Sequence, residues 1–148
     1  MAWGCISSFG RGCLTILPKN ETVNSEKYIK VLQQKLKIFM NVHGCTYFMQ
    51  DSAPCHVSKK TRNWLRSQKV RTIDWPGNSP DLNPIENIWR CMKHKVAFRY
   101  PSNLADLQHA IRQVWAFEIT DELCRKCTES MPRRLQAVIA NKGGITKY

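Results

Sequence analysis

Asp51 and Glu86 are the two residues whose types and surroundings best suit a shared chemical task. Asp51 follows the apolar run Tyr-Phe-Met, which predicts a buried strand. Glu86 falls at the third position of a predicted helix in which Asn83 is the cap and Pro84 the first residue. Two carboxylates that converge from a strand end and a helix start can hold divalent cations for phosphoryl transfer. We therefore expect their carboxyl groups to lie within roughly 8 Å of each other.

Each of these carboxylates also has an ordinary structural interpretation. Asp51 precedes Ser-Ala-Pro and could simply begin a turn, because Asp side chains often bond backbone N–H groups two residues on. Glu86 could complete a capping box, in which its side chain returns to the backbone N–H of Asn83. His56 could lie near Asp51 or serve as a structural, hydrogen-bonded histidine. The spacing alone leaves these alternatives open.

The charge of the chain points to a polyanionic partner. The 148 residues include 23 Lys and Arg against 11 Asp and Glu, a net charge of +12, and the basic residues are spread along the chain. Nucleic acid is the commonest partner of such a basic surface, although a solvated surface without a ligand is the alternative. The predicted DNA contacts lie on two helices: Lys59, Lys60, Arg62, Arg90, Lys93, Lys95 and Arg99.

The seven cysteines are predicted to be free thiols in a reducing compartment, and several lie inside apolar runs. Cys124 and Cys127 have the spacing of half a zinc site, but no second pair follows, so a structural role is favoured. The first ten residues do not have the pattern of a signal peptide. No apolar run is long enough to predict a membrane span.

The apolar pattern predicts an α/β domain with a helical C-terminal part. The segments "AWGCIS" and "CLTILP" are expected to form a hairpin, and a helix is expected from Ser25 to about Met40. The segment "CTYFMQ" is predicted to be a strand in the middle of a sheet, next to "VRTIDW", with a basic helix over 58–68 between them. The remaining predicted helices begin at Asn83 and Asn103 or lie around Glu122–Glu129 and Pro132–Asn141.

Two motifs identify a family resemblance. The segments "QDSAPCH" and "WPGNSPDLNPIENIW" resemble the catalytic domain of mariner-type cut-and-paste transposases, and the 34 residues between Asp51 and Glu86 are typical of one branch of that superfamily. The segments "NLADLQHAIRQVW" and "SMPRRLQAVIANKGGITKY" are similar to the corresponding family segments. The resemblance therefore covers nearly the whole chain.

The resemblance implies a ribonuclease-H-like fold and an Asp-Asp-Glu triad that binds two Mg²⁺ ions. Matched position by position, Asp51 is the second aspartate and Glu86 is the glutamate, while Ser52 replaces the usual Asn. The family's first aspartate and its helix-turn-helix module would precede Met1. We therefore expect one truncated catalytic domain over residues 1–148 that lacks its first central strand. The strand "CTYFMQ" would then lose a neighbour on one side, and each unmade buried hydrogen bond costs roughly 1–3 kcal/mol.

The family cleaves and joins DNA strands in the nucleus with Mg²⁺ or Mn²⁺, and it implies a homodimer or a complementing full-length transposase as a protein partner. With two of three metal ligands, this chain is expected not to catalyse that reaction. One alternative is a non-catalytic nucleic-acid-binding or interaction protein derived from a transposable element. Another is an inert fragment.

Overall fold

The computed structural model of the protein describes residues 1–18, 21–77, 79–144 and 146. Asn78 of the segment "WPGNSPDLNPIENIW" and Ile145, Lys147 and Tyr148 of the segment "SMPRRLQAVIANKGGITKY" lie outside the described residues. The chain forms two compact units. The first unit is Met1 with Leu17–Ser79, and the second unit is Ala2–Ile16 with Pro80–Tyr148. The single domain expected over residues 1–148 stays a prediction.

The elements follow one another in an order that matches the predicted mixture of strands and helices. The strands are β1 (Ala2–Trp3), β2 (Ile6–Ser7), β3 (Gly10–Arg11), β4 (Thr15–Ile16), β5 (Tyr47–Phe48) and β6 (Arg71–Thr72). The helices are α1 (Ser25–Val42), α2 (Pro54–Val57), α3 (Lys59–Ser67), a 3₁₀ turn (Pro80–Leu82), α4 (Pro84–Ala97), α5 (Leu104–Phe117), α6 (Asp121–Glu129) and α7 (Met131–Ala140). The predicted helical C-terminal part is thus confirmed.

Two parallel strands and three helices make up the first unit. β5 pairs with β6, with Tyr47 opposite Arg71 and Phe48 opposite Thr72, so the predicted neighbourhood of these strands is confirmed. The cap of α1 is Asn24, whose side chain accepts a hydrogen bond from the N–H of Lys27. α1 packs against α2 and α3. Its buried face consists of Tyr28, Ile29, Val31, Leu32, Leu36 and Phe39.

β5 does not have the surroundings of a central strand. Within the described residues β5 pairs with β6 alone, and Tyr47 is 57% exposed. The prediction of a strand buried in the middle of a sheet was therefore wrong here. Its apolar character came from Tyr and Phe, which also favour half-exposed strands.

A broken hairpin at the start of the second unit confirms the predicted pairing of "AWGCIS" with "CLTILP". β1 pairs antiparallel with β4, and β2 pairs antiparallel with β3. The N–H of Gly12 donates to the carbonyl of Cys5 at 2.7 Å between the two ladders. A Cβ on Gly4 would lie 2.8 Å from the ring of Trp115, so the backbone approaches this ring too closely for any larger residue.

The hairpin is attached to α5 and α6 by polar contacts. The indole N–H of Trp115 donates to the carbonyl of Gly12 at 2.9 Å. The guanidinium of Arg11 donates to the carbonyls of Ile119 and Ala116 at 2.8 and 2.5 Å. The same guanidinium forms an ion pair with Asp121 at 3.6 Å. The bond to Ala116 satisfies a carbonyl in the last turn of α5 that would otherwise lack a helical partner, and the bond to Ile119 holds the chain just after this helix.

The core of the second unit is built on α4, α5 and α6. The apolar residues of α4 form one stripe, in which Ile88, Met92 and Val96 are buried while Ile85 and Trp89 pack against the same cluster. The other members of this core are Ala110, Val114, Trp115, Ile119, Cys124 and Cys127. Cys124 and Cys127 are therefore core residues of α6, and burial raises the pKa of the Cys124 thiol to about 11.

Some apolar side chains of this unit are exposed. Leu104 and Leu107 are 46% and 36% exposed, because the buried face of α5 is formed by Ala110, Val114 and Trp115. Cys13 is exposed, unlike the buried Cys5. None of the helices in the described part of the chain combines the length and apolar content that a membrane span needs.

We predict that Leu32→Ala will lower the free energy of unfolding by about 2–5 kcal/mol, because Leu32 is fully buried in α1 and its loss leaves a cavity. The matched control is Ile38→Ala on the same helix, which is 66% exposed and should change the free energy of unfolding by less than about 0.5 kcal/mol. Urea denaturation followed by circular dichroism measures both. Equal effects of the two substitutions would contradict the described packing of α1.

Candidate active site

Asp51 lies in the loop between β5 and α2, with its side chain half-exposed. Its Oδ1 accepts a hydrogen bond from the N–H of Ala53 at 3.0 Å, which confirms the predicted turn. The same oxygen lies 2.6 Å from Nδ1 of His56. No described residue other than these forms a hydrogen bond or ion pair with the Asp51 carboxylate. Both contacts use one oxygen, so the carboxylate is oriented while its Oδ2 stays available.

His56 is held in place by a small polar and aromatic network. Its ring packs against the ring of Tyr28 at an interplanar angle of 31°, with the ring centroids 4.0 Å apart. The Tyr28 hydroxyl donates to Oε1 of Gln50 at 2.7 Å, and Nε2 of Gln50 donates to the carbonyl of His56 at 3.1 Å. His56 is thus both a structural, hydrogen-bonded histidine and the neighbour of Asp51, so the two interpretations of this residue hold together. The sequence showed only that five positions separate the two side chains.

A cavity of about 450 Å³ opens beside Asp51 within the first unit. We call it the Asp51 cavity. Its lining residues come from the chain after β5, from α2 and α3, and from the end of β6: Gln50, Asp51, Ser52, Val57, Arg62, Leu65, Arg66, Val70, Thr72, Ile73, Asp74 and Trp75. Arg66, Asp74 and Trp75 were not identified as site residues from the sequence. The signal for Asp74 was present, because it follows β6 as Asp51 follows β5.

Glu86 lies in the first turn of α4 with an exposed side chain. The cap works as predicted, since Oδ1 of Asn83 accepts from the N–H of Ile85 at 3.4 Å. The capping box does not form, however. The N–H of Asn83 donates to the carbonyl of Pro80 at 3.0 Å, and no described residue hydrogen-bonds to the Glu86 side chain. The Glu86 carboxylate therefore remains available for another ligand.

The turn that leads into α4 is fixed by α7 and the residues after it. Arg134 is buried, and its guanidinium donates to the Asp81 carbonyl at 2.6 Å and to the Ser130 hydroxyl at 2.7 Å. The Asp81 carboxylate accepts from the N–H and hydroxyl of Thr146 at 3.1 and 2.9 Å. Burial raises the pKa of Asp81, but the bonds from Thr146 and from the N–H of Leu82 outweigh it and lower that pKa. This network supports the backbone from which Glu86 projects.

Asp51 belongs to the first unit and Glu86 to the second. The expected distance of roughly 8 Å between their carboxyl groups stays a prediction. Among the described residues, no three His, Cys, Asp or Glu side chains gather into a possible metal site. Each of the two proposed ligands is nevertheless an accessible, hard carboxylate, which is the donor type that Mg²⁺ prefers.

The predicted DNA-contacting residues fall into two groups. Lys59, Lys60 and Arg62 on α3 and Arg90 and Lys93 on α4 are exposed, whereas Lys95 on α4 is half-buried. Arg99 is also exposed, but it lies after the end of α4 at Ala97 and not on the helix where it was predicted. Three of these cations already have carboxylate partners. Lys60 pairs with Glu26 at 2.5 Å, and Lys95 and Arg99 share Glu118 at 2.8 and 2.5 Å. The hydrogen bonds from Lys95 and then Arg99 lower the pKa of Glu118, so it stays charged at neutral pH.

Comparison with known proteins gives a consistent family. The family model described as "DDE superfamily endonuclease" matches residues 10–108. The transposable element Tc1 transposase of Caenorhabditis elegans is 33% identical over the whole chain, which covers 54% of that protein. The Mariner Mos1 transposase of Drosophila mauritiana is 23% identical over 86% of the chain and 39% of its own length. The chain thus spans about half the length of the curated relatives it matches.

Solved structures show the same fold. The catalytic domain of Mos1 mariner transposase superimposes with a TM-score of 0.82 at 21% identity, covering 99% of this chain and 75% of that one. A Mos1 paired end complex with Mn superimposes with a TM-score of 0.88 at 20% identity, covering 99% of this chain and 44% of that one. The ribonuclease-H-like fold expected from the sequence is confirmed by these matches.

We predict that Glu118→Gln will strengthen binding to duplex DNA, because it releases Lys95 and Arg99 for phosphates. The slope of log affinity against log salt should steepen by about 1 for each cation that gains a phosphate contact. Fluorescence anisotropy with a labelled duplex measures both quantities. The matched control is Glu122→Gln, which releases Arg125 and Lys126 on α6. An equal gain from both substitutions would show that net charge alone matters.

Proposed function

Because the chain belongs to the DDE superfamily endonucleases and has a Tc1/mariner-type transposase domain, we propose that it contributes two metal-binding carboxylates, Asp51 and Glu86, to DNA strand cleavage and transfer. The observation that carries this proposal is that the family match over residues 10–108 includes both carboxylates, each of which is solvent-accessible. Within the described residues, neither side chain is enclosed by protein donors that would exclude a cation. Mos1 structures have been solved with Mg and with Mn, which supports a divalent cation here.

The residues present fit such a cation. Asp51 and Glu86 supply the oxygen ligands, and the bound ion would activate the attacking oxygen and stabilise the leaving oxygen of a phosphodiester. Ala53 and His56 orient the Asp51 carboxylate through Oδ1, so Oδ2 is the atom expected to bind the ion. In the proposed role His56 is a positioning residue, because it acts through Asp51.

DNA is the proposed partner, and the nucleus the proposed location. The solved Mos1 relatives include a strand transfer complex and a paired-end complex with the left transposon end. In this chain the exposed cations of α3 and α4 would contact phosphates, which supply affinity without sequence readout. Either a homodimer or a complementing full-length transposase is the proposed protein partner.

We predict that a polypeptide of these 148 residues will neither nick DNA nor transfer a strand with Mg²⁺ or Mn²⁺. The family resemblance matches two carboxylates of the triad in this sequence, and loss of one ligand from a two-metal site removes several kcal/mol of transition-state stabilisation, on the order of a thousandfold in rate. Incubation with supercoiled plasmid, followed by gel electrophoresis, measures nicking. Glu86→Gln is the control, since nicking that disappears in this variant would prove the prediction wrong.

We further predict weak, sequence-independent binding to duplex DNA, on the order of micromolar at physiological salt. Lys93 is exposed and Lys95 is paired with Glu118, so Lys93→Ala should reduce the salt slope by about 1 while Lys95→Ala should reduce it less. Anisotropy titrations at several salt concentrations measure the slopes. A folded sample that binds no DNA at low salt would exclude both the transposase proposal and its alternative, a non-catalytic nucleic-acid-binding protein.

A further inference from the structure

The Asp51 cavity lies where both parallel strands of the first unit end. Its walls come from the chain after β5, from the end of β6 and from α3, which connects the two strands. In α/β sheets, ligands bind at the carboxyl ends of the strands, because loops from adjacent strands enclose a crevice there. The volume of about 450 Å³ exceeds that of a single inorganic anion and falls within the range of small-molecule sites. The position and size of the cavity thus suit a ligand.

Arg62 and Arg66 give one side of this cavity a positive charge. They are one helical turn apart on α3, and both are exposed and line the cavity. Like charges at this spacing destabilise a helix, so the pair is not explained by helix stability. No carboxylate among the described residues forms an ion pair with either guanidinium, whereas Lys60 on the same helix pairs with Glu26. Two unpaired guanidiniums match the geometry of a phosphate, which each can bind bidentately.

The rest of the cavity wall combines apolar and polar side chains, which suits the base and the phosphate of a nucleotide. Val57, Leu65 and Val70 present apolar surface, and Trp75 adds an indole ring. The indole N–H of Trp75 is buried and has no acceptor among the described residues, which is unusual for a native structure. Asp51 and Asp74 are the carboxylates of the cavity. They would repel a phosphate unless it binds on the arginine side or a cation binds to Asp51.

From this arrangement we propose that the Asp51 cavity is a subsite for one nucleotide of the DNA strand that reaches Asp51, with its phosphate bound by Arg62 and Arg66. The proposal rests on the proposed function, because DNA is the polyanion expected at Asp51. It adds Arg66 to the predicted DNA contacts and separates Arg62 from the general basic surface. A nucleotide that enters the cavity must leave the base stack, so an unpaired strand should bind there better than a duplex.

The test measures binding of a fluorescein-labelled oligothymidylate and of a blunt duplex in EDTA, by anisotropy. Arg62→Gln/Arg66→Gln should weaken binding of the single strand about tenfold and reduce its salt slope by about 1, with a smaller loss for the duplex. The control is Lys30→Gln/Lys37→Gln, which removes the same charge from exposed positions on α1 of the same unit. It should weaken the binding of both probes equally and to a smaller extent.

Two further variants distinguish specific binding in the Asp51 cavity from an effect of net charge alone. Arg62→Lys/Arg66→Lys keeps the charge but removes the bidentate geometry, so it should recover only part of the single-strand affinity. Asp51→Asn removes a negative charge from the cavity and should strengthen single-strand binding several-fold in EDTA. The proposal would be overturned if Arg62→Gln/Arg66→Gln and Lys30→Gln/Lys37→Gln weakened single-strand binding equally, in samples with unchanged circular dichroism. Since EDTA removes divalent ions, this outcome does not depend on whether Asp51 and Glu86 bind metal.

Discussion

The parallel register of β5 and β6, with Phe48 opposite Thr72, brings the ends of two strands to one edge of the first unit. Parallel strands need a crossover connection, and α2 and α3 provide it between residues 54 and 67. The chain leaving β5 and the chain leaving β6 therefore emerge side by side, which is why Asp51 and Asp74 line one cavity. An antiparallel pairing of the same segments would send these carboxylates to opposite ends of the ladder.

Glu86 is positioned by the start of a helix and not by the end of a strand. Its position follows from a helix start, where Asn83 supplies the cap, and a carboxylate in the first turn also interacts favourably with the helix dipole. The buried guanidinium of Arg134 fixes the preceding turn through the Asp81 carbonyl. Hydrogen bonds to the backbone hold this turn, so the side chain of Glu86 is not needed to cap its own helix.

Local rules predicted much of this arrangement from the sequence. The caps at Asn83 and Asn103 were predicted because capping propensity acts over a few residues, and the adjacency of β5 and β6 was predicted from their apolar character. The ion pairs of Glu118 with Lys95 and Arg99 were not, since they join residues about twenty positions apart. Spacing also could not assign His56 to Asp51, because the position of His56 depends on the contact of its ring with Tyr28.

The central proposal is that Asp51 and Glu86 are both ligands of divalent cations. Titration of Mn²⁺ followed by electron paramagnetic resonance tests it with Asp51→Asn, Glu86→Gln and the double variant. If the two carboxylates share an ion, each single substitution should weaken Mn²⁺ binding by about tenfold or more, and the double variant should be little weaker than either. Losses that add in the double variant, or single variants that bind Mn²⁺ like the unaltered chain, would contradict the claim.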